Sequence, residues 1–174
     1  MCVRFIGCLH LGHEWMAQHR GFKSADEYHQ HLIKSWNSVV HKKDLVYILG
    51  DVTMEKNEFY PILDSLNGRK KVVLGNHDLG KHIPDLLKHV ETVEGMVDYK
   101  GFALTHCPIH PNTLERYYAN IHAHIHENEV EELEAMSMYN DVQSHKRPTK
   151  HMYINVDACN VNYKPRTINQ LWVK

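Results

Sequence analysis

The chain has 174 residues, of which 43% are apolar and 24% are charged, a balance typical of an ordinary globular domain with one core. Its formal net charge of -1 gives no general attraction to nucleic acid or to an anionic membrane, and no apolar run approaches the roughly 18 residues that a membrane span needs. The first residues lack the long apolar stretch of a signal peptide. We therefore expect a single domain over residues 1–174, no membrane partner and a cytoplasmic location.

Strands and helices are predicted to alternate along the first half of the chain. An apolar run over residues 3–9 predicts a first strand, and Ser24 followed by Glu27 indicates the start of a helix that ends near residues 41–43. The continuous apolar run at residues 45–49 is typical of a buried central strand. The next predicted elements are a helix at residues 59–66 and a strand at 71–74.

The second half of the chain is predicted to add further strands. A short helix is expected at residues 84–89, followed by a hairpin-like pair over residues 93–99 and 102–105. Residues 120–126 indicate another strand and its exit. A helix and a loop are expected over 127–150, and a late strand over 151–156. This order predicts a layered α/β fold with helices on both sides of sheet.

Histidine is the unusual residue of the composition, with 16 copies. Five separate apolar runs end in residue types that bind metal ions, whereas a histidine-rich surface would scatter them. Ligands of layered α/β folds bind beyond the carboxyl ends of strands, so we expect these side chains to meet. They are Cys8 with His10, then Asp51, then Asn76 with His77 and Asp78, then His106, and finally His124 with His126.

These motifs resemble, in order and in strand context, those of the calcineurin-like metallophosphoesterases. That family carries Asp-x-His, Gly-Asp, Gly-Asn-His-Asp, a lone His and Gly-His-x-His. This chain offers Cys8-Leu9-His10, Gly50-Asp51, Gly75-Asn76-His77-Asp78, His106 and Ala123-His124-Ile125-His126. The short bacterial and phage members are the most similar, through His10-Leu11-Gly12-His13 and Arg20-Gly21-Phe22. The resemblance implies a four-layer α/β/β/α sandwich.

The resemblance also implies hydrolysis of phosphodiester or phosphomonoester bonds by two divalent ions, with a bridging hydroxide as the nucleophile. Such ions lie about 3.5–4 Å apart and clamp the phosphoryl oxygens. Mn²⁺, Zn²⁺, Fe²⁺ and Ni²⁺ are the candidate ions. The family pattern assigns Asp51 to both ions. It assigns Cys8, His10 and His126 to the first ion, and Asn76, His106 and His124 to the second.

The remaining site residues are assigned to the substrate. His77 corresponds to an acid or a phosphate contact in the family, and we expect Asp78 to orient its ring. Asn76 is a further substrate contact, and His13 and Arg20 are candidate phosphate contacts, because a guanidinium fork matches phosphate oxygens. The expected substrate is a phosphate ester, with a nucleotide and a nucleic-acid end among the candidates.

Cys8 departs from the family pattern, which has Asp at that position. Cysteine can bind a metal ion as a softer thiolate that favours zinc or iron over manganese. Three interpretations stay open: Cys8 is a true ligand, it stands beside a weakened first site, or the position has been altered to lower activity. The alternative function is therefore a metal-binding homologue with weakened or lost catalysis. The other departure, Ala123 for Gly, is small.

One choice among the histidines also stays open. His122, His124 and His126 alternate, so a strand would point all three to one face. The position of Ala123 favours His124 with His126, and the pair His122 with His124 is the alternative. Cys107 and Cys159 are interpreted as small buried apolar residues. The histidines interpreted as surface residues are His19, His29, His31, His41, His82, His89, His110, His145 and His151.

Overall fold

The first strand of the chain lies inside a five-stranded sheet. The structure, a computed structural model, describes residues 1–130 and 152–172. In this sheet the order is β4-β3-β2-β1-β9, with β9 antiparallel to β1 and the other pairs parallel. All residues of β2 are buried, as its continuous apolar run predicted. The strands are β1 Val3–Gly7, β2 Leu45–Leu49, β3 Arg69–Val73, β4 Thr92–Glu94 and β9 Arg166–Thr167.

A second sheet has four strands in the order β5-β6-β7-β8. β5 and β6 form the predicted antiparallel hairpin, and the pairs β6–β7 and β7–β8 are parallel. The predicted strand over residues 93–99 is divided, because its first part joins the first sheet as β4. The strands are β5 Val97–Tyr99, β6 Phe102–Leu104, β7 Ala119–His122 and β8 Tyr153–Asn155.

The helices are mostly short. Ser24 caps the longest helix of the described residues as predicted, since its side chain accepts a hydrogen bond from the Glu27 amide. The predicted helix around residues 59–66 is instead a 3-10 helix over Asn57–Ser65; Pro61 within it has no amide hydrogen to donate. The α-helices are α1 Glu14–His19, α2 Ala25–Asn37, α3 Ile83–Leu86, α4 Pro111–Leu114 and α5 Ile168–Leu171, and a second 3-10 helix covers Gly80–His82.

The two sheets contact each other through aromatic rings and through the end of β1. The centroid of the Tyr99 ring of β5 lies 5.4 Å from that of the Phe5 ring of β1 and 6.0 Å from that of the Tyr47 ring of β2. The Gly7 amide donates to Val156 O (2.8 Å), and the Ala158 amide donates to Gly7 O (3.0 Å). The chain after β8 therefore runs beside the end of β1, which brings strand ends of both sheets together in one mixed α/β domain.

Among the described residues, no helix has the length and apolar character that a bilayer crossing requires. The late strand predicted over 151–156 is shorter, at Tyr153–Asn155. Most of the helix and loop predicted over 127–150 falls outside the described residues, as do His145 and His151. A single domain over all of residues 1–174 stays a prediction for that reason.

Candidate metal centre

Five of the seven predicted metal ligands have a left-handed backbone, which is uncommon for residues other than glycine. Such a conformation costs on the order of 1–3 kcal/mol per residue and persists only where the surrounding structure holds it, most often at functional sites. The strand ends here therefore carry concentrated backbone strain. The φ angles are 50° for Cys8, 47° for His10, 51° for Asp51, 70° for His124 and 52° for His126.

The Asp51 carboxylate lies between two groups of predicted ligands. It is 2% exposed, and its Oδ2 lies 3.3 Å from His106 Nε2 and 3.9 Å from His10 Nε2. Its Oδ1 accepts a hydrogen bond from the His77 amide (3.0 Å). Burial alone would raise the pKa of Asp51, but the hydrogen bond and charge of His106 lower it. The structure thus holds an ionised carboxylate where the family pattern expects the bridging ligand.

One group on this carboxylate consists of Cys8, His10 and His126, here called the first cluster, whose candidate ligand atoms all lie within 4.8 Å of one another. The Cys8 side chain is fully buried, and its Sγ accepts a hydrogen bond from the His124 amide (3.2 Å). Burial, followed by the charges of Asp157 and Asp51, raises the pKa of the Cys8 thiol. A thiolate at this position therefore requires a nearby cation.

His10 is the least satisfied polar side chain of the first cluster. The residue is 2% exposed, and within residues 1–130 and 152–172 neither ring nitrogen finds a hydrogen-bond partner. An unsatisfied buried polar group costs about 1–3 kcal/mol. Burial lowers the pKa of His10 to about 3, so the ring is neutral and keeps a lone pair. A metal ion would satisfy that lone pair, and the residues of the first cluster therefore fit a divalent ion.

The other group consists of Asn76, His106 and His124, here called the second cluster. His106 Nδ1 donates to Leu49 O (2.9 Å), which leaves Nε2 as the lone-pair nitrogen of the neutral ring. This Nε2 lies 3.0 Å from Asn76 Oδ1 and 3.1 Å from His124 Nδ1. Burial would lower the pKa of His106, but the neighbouring Asp51 raises it. Either a proton or a metal ion can satisfy these converging acceptors, so this cluster also fits a cation.

The ligands near the end of β7 differ from the sequence expectation in one respect. The strand ends at His122, and His124 and His126 lie in the following turn, so the three rings do not share one strand face. His122 is buried, with Nδ1 2.9 Å from Ala123 O, and belongs to neither cluster. The alternative pair of His122 with His124 is therefore wrong. Ala123 fits beside Gly7, where any Cβ would lie 2.5 Å from the Cβ of Ala123.

The expected orientation of His77 by Asp78 is wrong. Both oxygens of the buried Asp78 carboxylate accept backbone hydrogen bonds: Oδ2 from the amides of Asp51 and Gly75 (2.8 Å each), and Oδ1 from the amide of Val52 (3.0 Å). Asp78 therefore shapes the loops that carry Asp51 and Asn76. The partner of the half-buried His77 ring is Glu55, whose Oε1 lies 3.3 Å from Nδ1.

The interpretation of Arg20 as a phosphate contact is also corrected. Its side chain is only 3% exposed, and Nη2 donates to Cys8 O (2.8 Å) and to Asp157 Oδ1 (3.0 Å). A guanidinium held in this way does not face solvent. His13, by contrast, is half-buried beside the first cluster, with its ring centroid 6.2 Å from that of His10, so its role as a substrate contact stays a prediction.

Asp157 also lies in this region, although it was not among the predicted site residues. It is fully buried, and its Oδ2 accepts a hydrogen bond from His126 Nδ1 (2.8 Å). Burial alone would raise its pKa, but the hydrogen bond from His126 and the charge of Arg20 lower the pKa of Asp157 to about 2. The signal was present in the sequence, because Asp157 follows β8 and Val156 as the predicted ligands follow other strands.

Three further expectations about histidine and cysteine are corrected. His29 is 7% exposed rather than on the surface, and its Nε2 accepts a hydrogen bond from the Gly12 amide (2.9 Å). Cys107 is exposed and lies close to the ligand atoms of His106 and His124. Cys159 is half-buried, with Sγ 3.0 Å from Asp157 Oδ1. The last contact links Cys159 to the surroundings of the first cluster.

The known proteins that are similar to this chain have names that state no activity. No model of a known protein family matches it. It is 39% identical over 85 residues to the Gene 66 protein of Mycobacterium phage L5. These residues cover 45% of this chain and 40% of that protein. A solved structure, that of the protein of unknown function AQ665 from Aquifex aeolicus, has a TM-score of 0.68 at 24% identity. It covers 97% of this chain and 96% of its own, and it supports the fold alone.

A second relative matches nearly the whole chain. The uncharacterized protein MJ1445 of Methanocaldococcus jannaschii is 31% identical over 174 residues, which cover 96% of this chain and 87% of that protein. The match therefore spans nearly the full described length of the chain. The chain therefore belongs to the same protein family as MJ1445.

Proposed function

We propose that this protein is a phosphoesterase that hydrolyses phosphodiester or phosphomonoester bonds with two divalent metal ions. The proposal includes the four-layer α/β/β/α arrangement of the calcineurin-like metallophosphoesterases for its two sheets and flanking helices. It is supported by the convergence of side chains from four strand ends around the buried carboxylate of Asp51, which follows a fifth strand.

The single observation that carries the proposal is the environment of His10. His10 is a neutral, buried imidazole whose two nitrogens have no hydrogen-bond partner within residues 1–130 and 152–172, and such a ring is unfavourable in a protein interior unless a ligand occupies the site. Its neighbours are a buried thiol and a second imidazole, which are donors that zinc and iron accept. The His106 ring on the other side of Asp51 presents a similar convergence of acceptors.

Each cluster would hold one ion, with Asp51 shared between them. When bound, the ions would supply Lewis acidity, by lowering the pKa of water and neutralising phosphoryl charge. The chain supplies the rest of the chemistry. The partly exposed His77, beside Glu55, is the side chain that would donate a proton to the leaving oxygen or contact the phosphate. His13 would be a second contact to the phosphate, from the start of α1.

Cys8 supports an alternative within the same architecture. Its sulfur is buried beside His124 and carries a raised pKa, so an apo protein would hold a neutral thiol there. A first cluster that binds metal weakly would leave a metal-binding homologue with little catalysis. The substrate class in either case is a phosphate ester, and a nucleotide or a nucleic-acid end is included in that class.

The test is hydrolysis of bis(p-nitrophenyl) phosphate and p-nitrophenyl phosphate by purified protein loaded with manganese, zinc, nickel or iron. We expect turnover that depends on added metal and that is lost in Asp51→Asn, because that variant removes the shared carboxylate. Absence of turnover with every ion between pH 5 and pH 9 would contradict the enzymatic part of the proposal. A nearly inert wild type that Cys8→Asp activates strongly would favour the alternative.

A further inference from the structure

A buried guanidinium lies behind the first cluster and joins two parts of it. Arg20 Nη2 donates to the backbone oxygen of Cys8 (2.8 Å) and to Asp157 Oδ1 (3.0 Å). Its Nη1 donates to the Tyr28 hydroxyl (3.1 Å), which itself donates to Leu9 O (2.6 Å). Arg20 thus holds the Cys8 carbonyl directly and the Leu9 carbonyl through Tyr28, while it pairs with a carboxylate 137 residues away.

The carboxylate of that pair supports a candidate ligand directly. Asp157 Oδ2 accepts from His126 Nδ1, and Oδ1 accepts from Arg20 and from the Cys159 amide (3.0 Å). A carboxylate bound to one imidazole nitrogen fixes the tautomer and the ring orientation, which leaves the other nitrogen, Nε2, as the lone-pair donor. The Asp157 side chain is fully buried, so water does not compete with His126 for its carboxylate oxygens.

We propose that Arg20 and Asp157 are positioning residues of the first cluster: Asp157 orients the His126 ring, and Arg20 connects Asp157 to the backbone of Cys8. The inference rests on the proposed function, since it requires that the first cluster binds a metal ion. In the proposed function, neither Arg20 nor Asp157 binds a metal ion or the substrate. Their effect is selective, because the second cluster has its own support in the hydrogen bond from His106 to Leu49 O.

Another buried ion pair provides a matched control. Asp44 is 2% exposed, pairs with Arg4 (3.6 Å) and accepts a hydrogen bond from the Cys2 amide (2.7 Å). It precedes β2, whereas the clusters lie past the opposite end of the same strands, roughly 17 Å away for five residues of strand. Removing either carboxylate leaves a largely buried arginine without its carboxylate partner and lowers stability. Only Asp157 contacts a candidate ligand.

The experiment compares zinc binding by wild type, Asp157→Asn and Asp44→Asn, by competition with a chromophoric chelator and by metal analysis. Asparagine keeps the shape of Asp157 but offers one acceptor oxygen to donors that approach from two sides. We expect wild type and Asp44→Asn to bind two zinc ions tightly. In Asp157→Asn we expect one site to be unchanged and the other to be weakened by about 10–100-fold.

Arg20→Lys provides a second variant in case Asp157→Asn does not fold. Lysine keeps the charge beside Asp157, but its single nitrogen cannot replace both Nη2 and the Nη1 that contacts the Tyr28 hydroxyl, so we expect a smaller loss at the same site. Wild-type affinity at both sites in the folded variants, or an equal loss in Asp44→Asn, would overturn the inference while leaving the proposed function intact. A wild type that binds neither zinc nor manganese, nickel or iron would defeat the proposed function, and this inference with it.

Discussion

Cys8 is the residue at which the candidate site differs most from the family that it resembles. Thiolate is a softer ligand than carboxylate, so Cys8 favours zinc or iron over manganese. We expect Cys8→Asp to shift the ratio of manganese to zinc affinity at one site toward manganese. Competition titration of the two ions measures that ratio.

A matched cysteine tests whether the shift belongs to the first cluster. Cys2 is exposed and lies beside Asp44, at the opposite end of the strands, so Cys2→Ser should leave the ratio unchanged. Cobalt-loaded wild type and Cys2→Ser should both show thiolate-to-cobalt charge transfer, and Cys8→Asp should not. An unaltered metal ratio in Cys8→Asp would show that Cys8 is no ligand.

His77 is the residue whose proposed role separates catalysis from metal binding. Its ring is partly exposed and contacts Glu55, while its amide contacts the Asp51 carboxylate. We expect His77→Ala to keep both metal ions and to slow hydrolysis of esters with poor leaving groups by about 10²-fold or more. Esters of p-nitrophenol need less help from an acid and should slow less.

The half-buried His82 provides the control for this variant, since it lies five residues further along the chain. His82→Ala should leave metal content and both rates unchanged. Steady-state rates on alkyl and p-nitrophenyl phosphate esters, with metal analysis of the same samples, make the comparison. Equal slowing on the two ester classes would mean that His77 does not act as the acid.

The roles of single residues were predictable where the strand-end pattern applied, but not where the role of a residue depends on its burial. The pattern located Asp51, Asn76 and His106, and the structure brings them together. It misassigned Arg20, because a sequence does not reveal that its partner lies 137 residues away in a fully buried carboxylate. The sequence does not distinguish an arginine that faces solvent near a candidate site from a buried arginine that supports the site.

At the scale of elements, the ends of β2 and β3 approach each other closely because Gly75 has no side chain. A Cβ on Gly75 would meet the Asp51 carboxylate and would lie 2.6 Å from the Asp51 amide nitrogen. We therefore expect Gly75→Ala to displace Asp51 and to weaken binding of both ions. Overpacking of this kind also lowers the free energy of unfolding by about 1–3 kcal/mol. Zinc titration and urea unfolding measure the two effects.

Gly95 provides the matched control, because a Cβ added there meets nothing within 4 Å. Gly95→Ala should bind metal like wild type and unfold with the wild-type free energy to within about 0.5 kcal/mol. Two tightly bound ions in Gly75→Ala would contradict the role assigned to the close contact between the two strand ends.

Elements with a strong local signal were predicted, and those that depend on distant contacts were not. The apolar run of β2 and the capping pattern of α2 identified both elements. The end of β7 at His122 was missed, because the alternating histidines mimic a strand while the chain turns at His124. The division between β4 and β5 was missed because their pairing partners lie in different sheets.

At the scale of the whole molecule, metal binding should add to the stability of the fold. Within the described residues, the buried His10 ring of the first cluster lacks a hydrogen-bond partner that an ion would replace, and an ion that binds only the folded state stabilises it by mass action. Zinc at 100 times its dissociation constant adds about 2.7 kcal/mol for one site. We expect chelation to lower the melting temperature by about 5–10 °C for each ion removed. Thermal unfolding with and without chelator measures the change.

The control for the thermal experiment is Asp51→Asn, which lacks the shared carboxylate. Its melting temperature should respond to zinc much less than that of wild type. An equal response in the two proteins would place the stabilising zinc elsewhere on the molecule and would separate metal binding from the two clusters.

The central claim is that side chains from five strand ends surround a pair of cations. Anomalous scattering from crystals of metal-loaded protein tests it most directly. The account predicts two peaks on either side of the Asp51 carboxylate, one of them with the Cys8 sulfur about 2.3 Å away for zinc. Absence of any peak among these residues, in crystals of protein that carries metal, would contradict it.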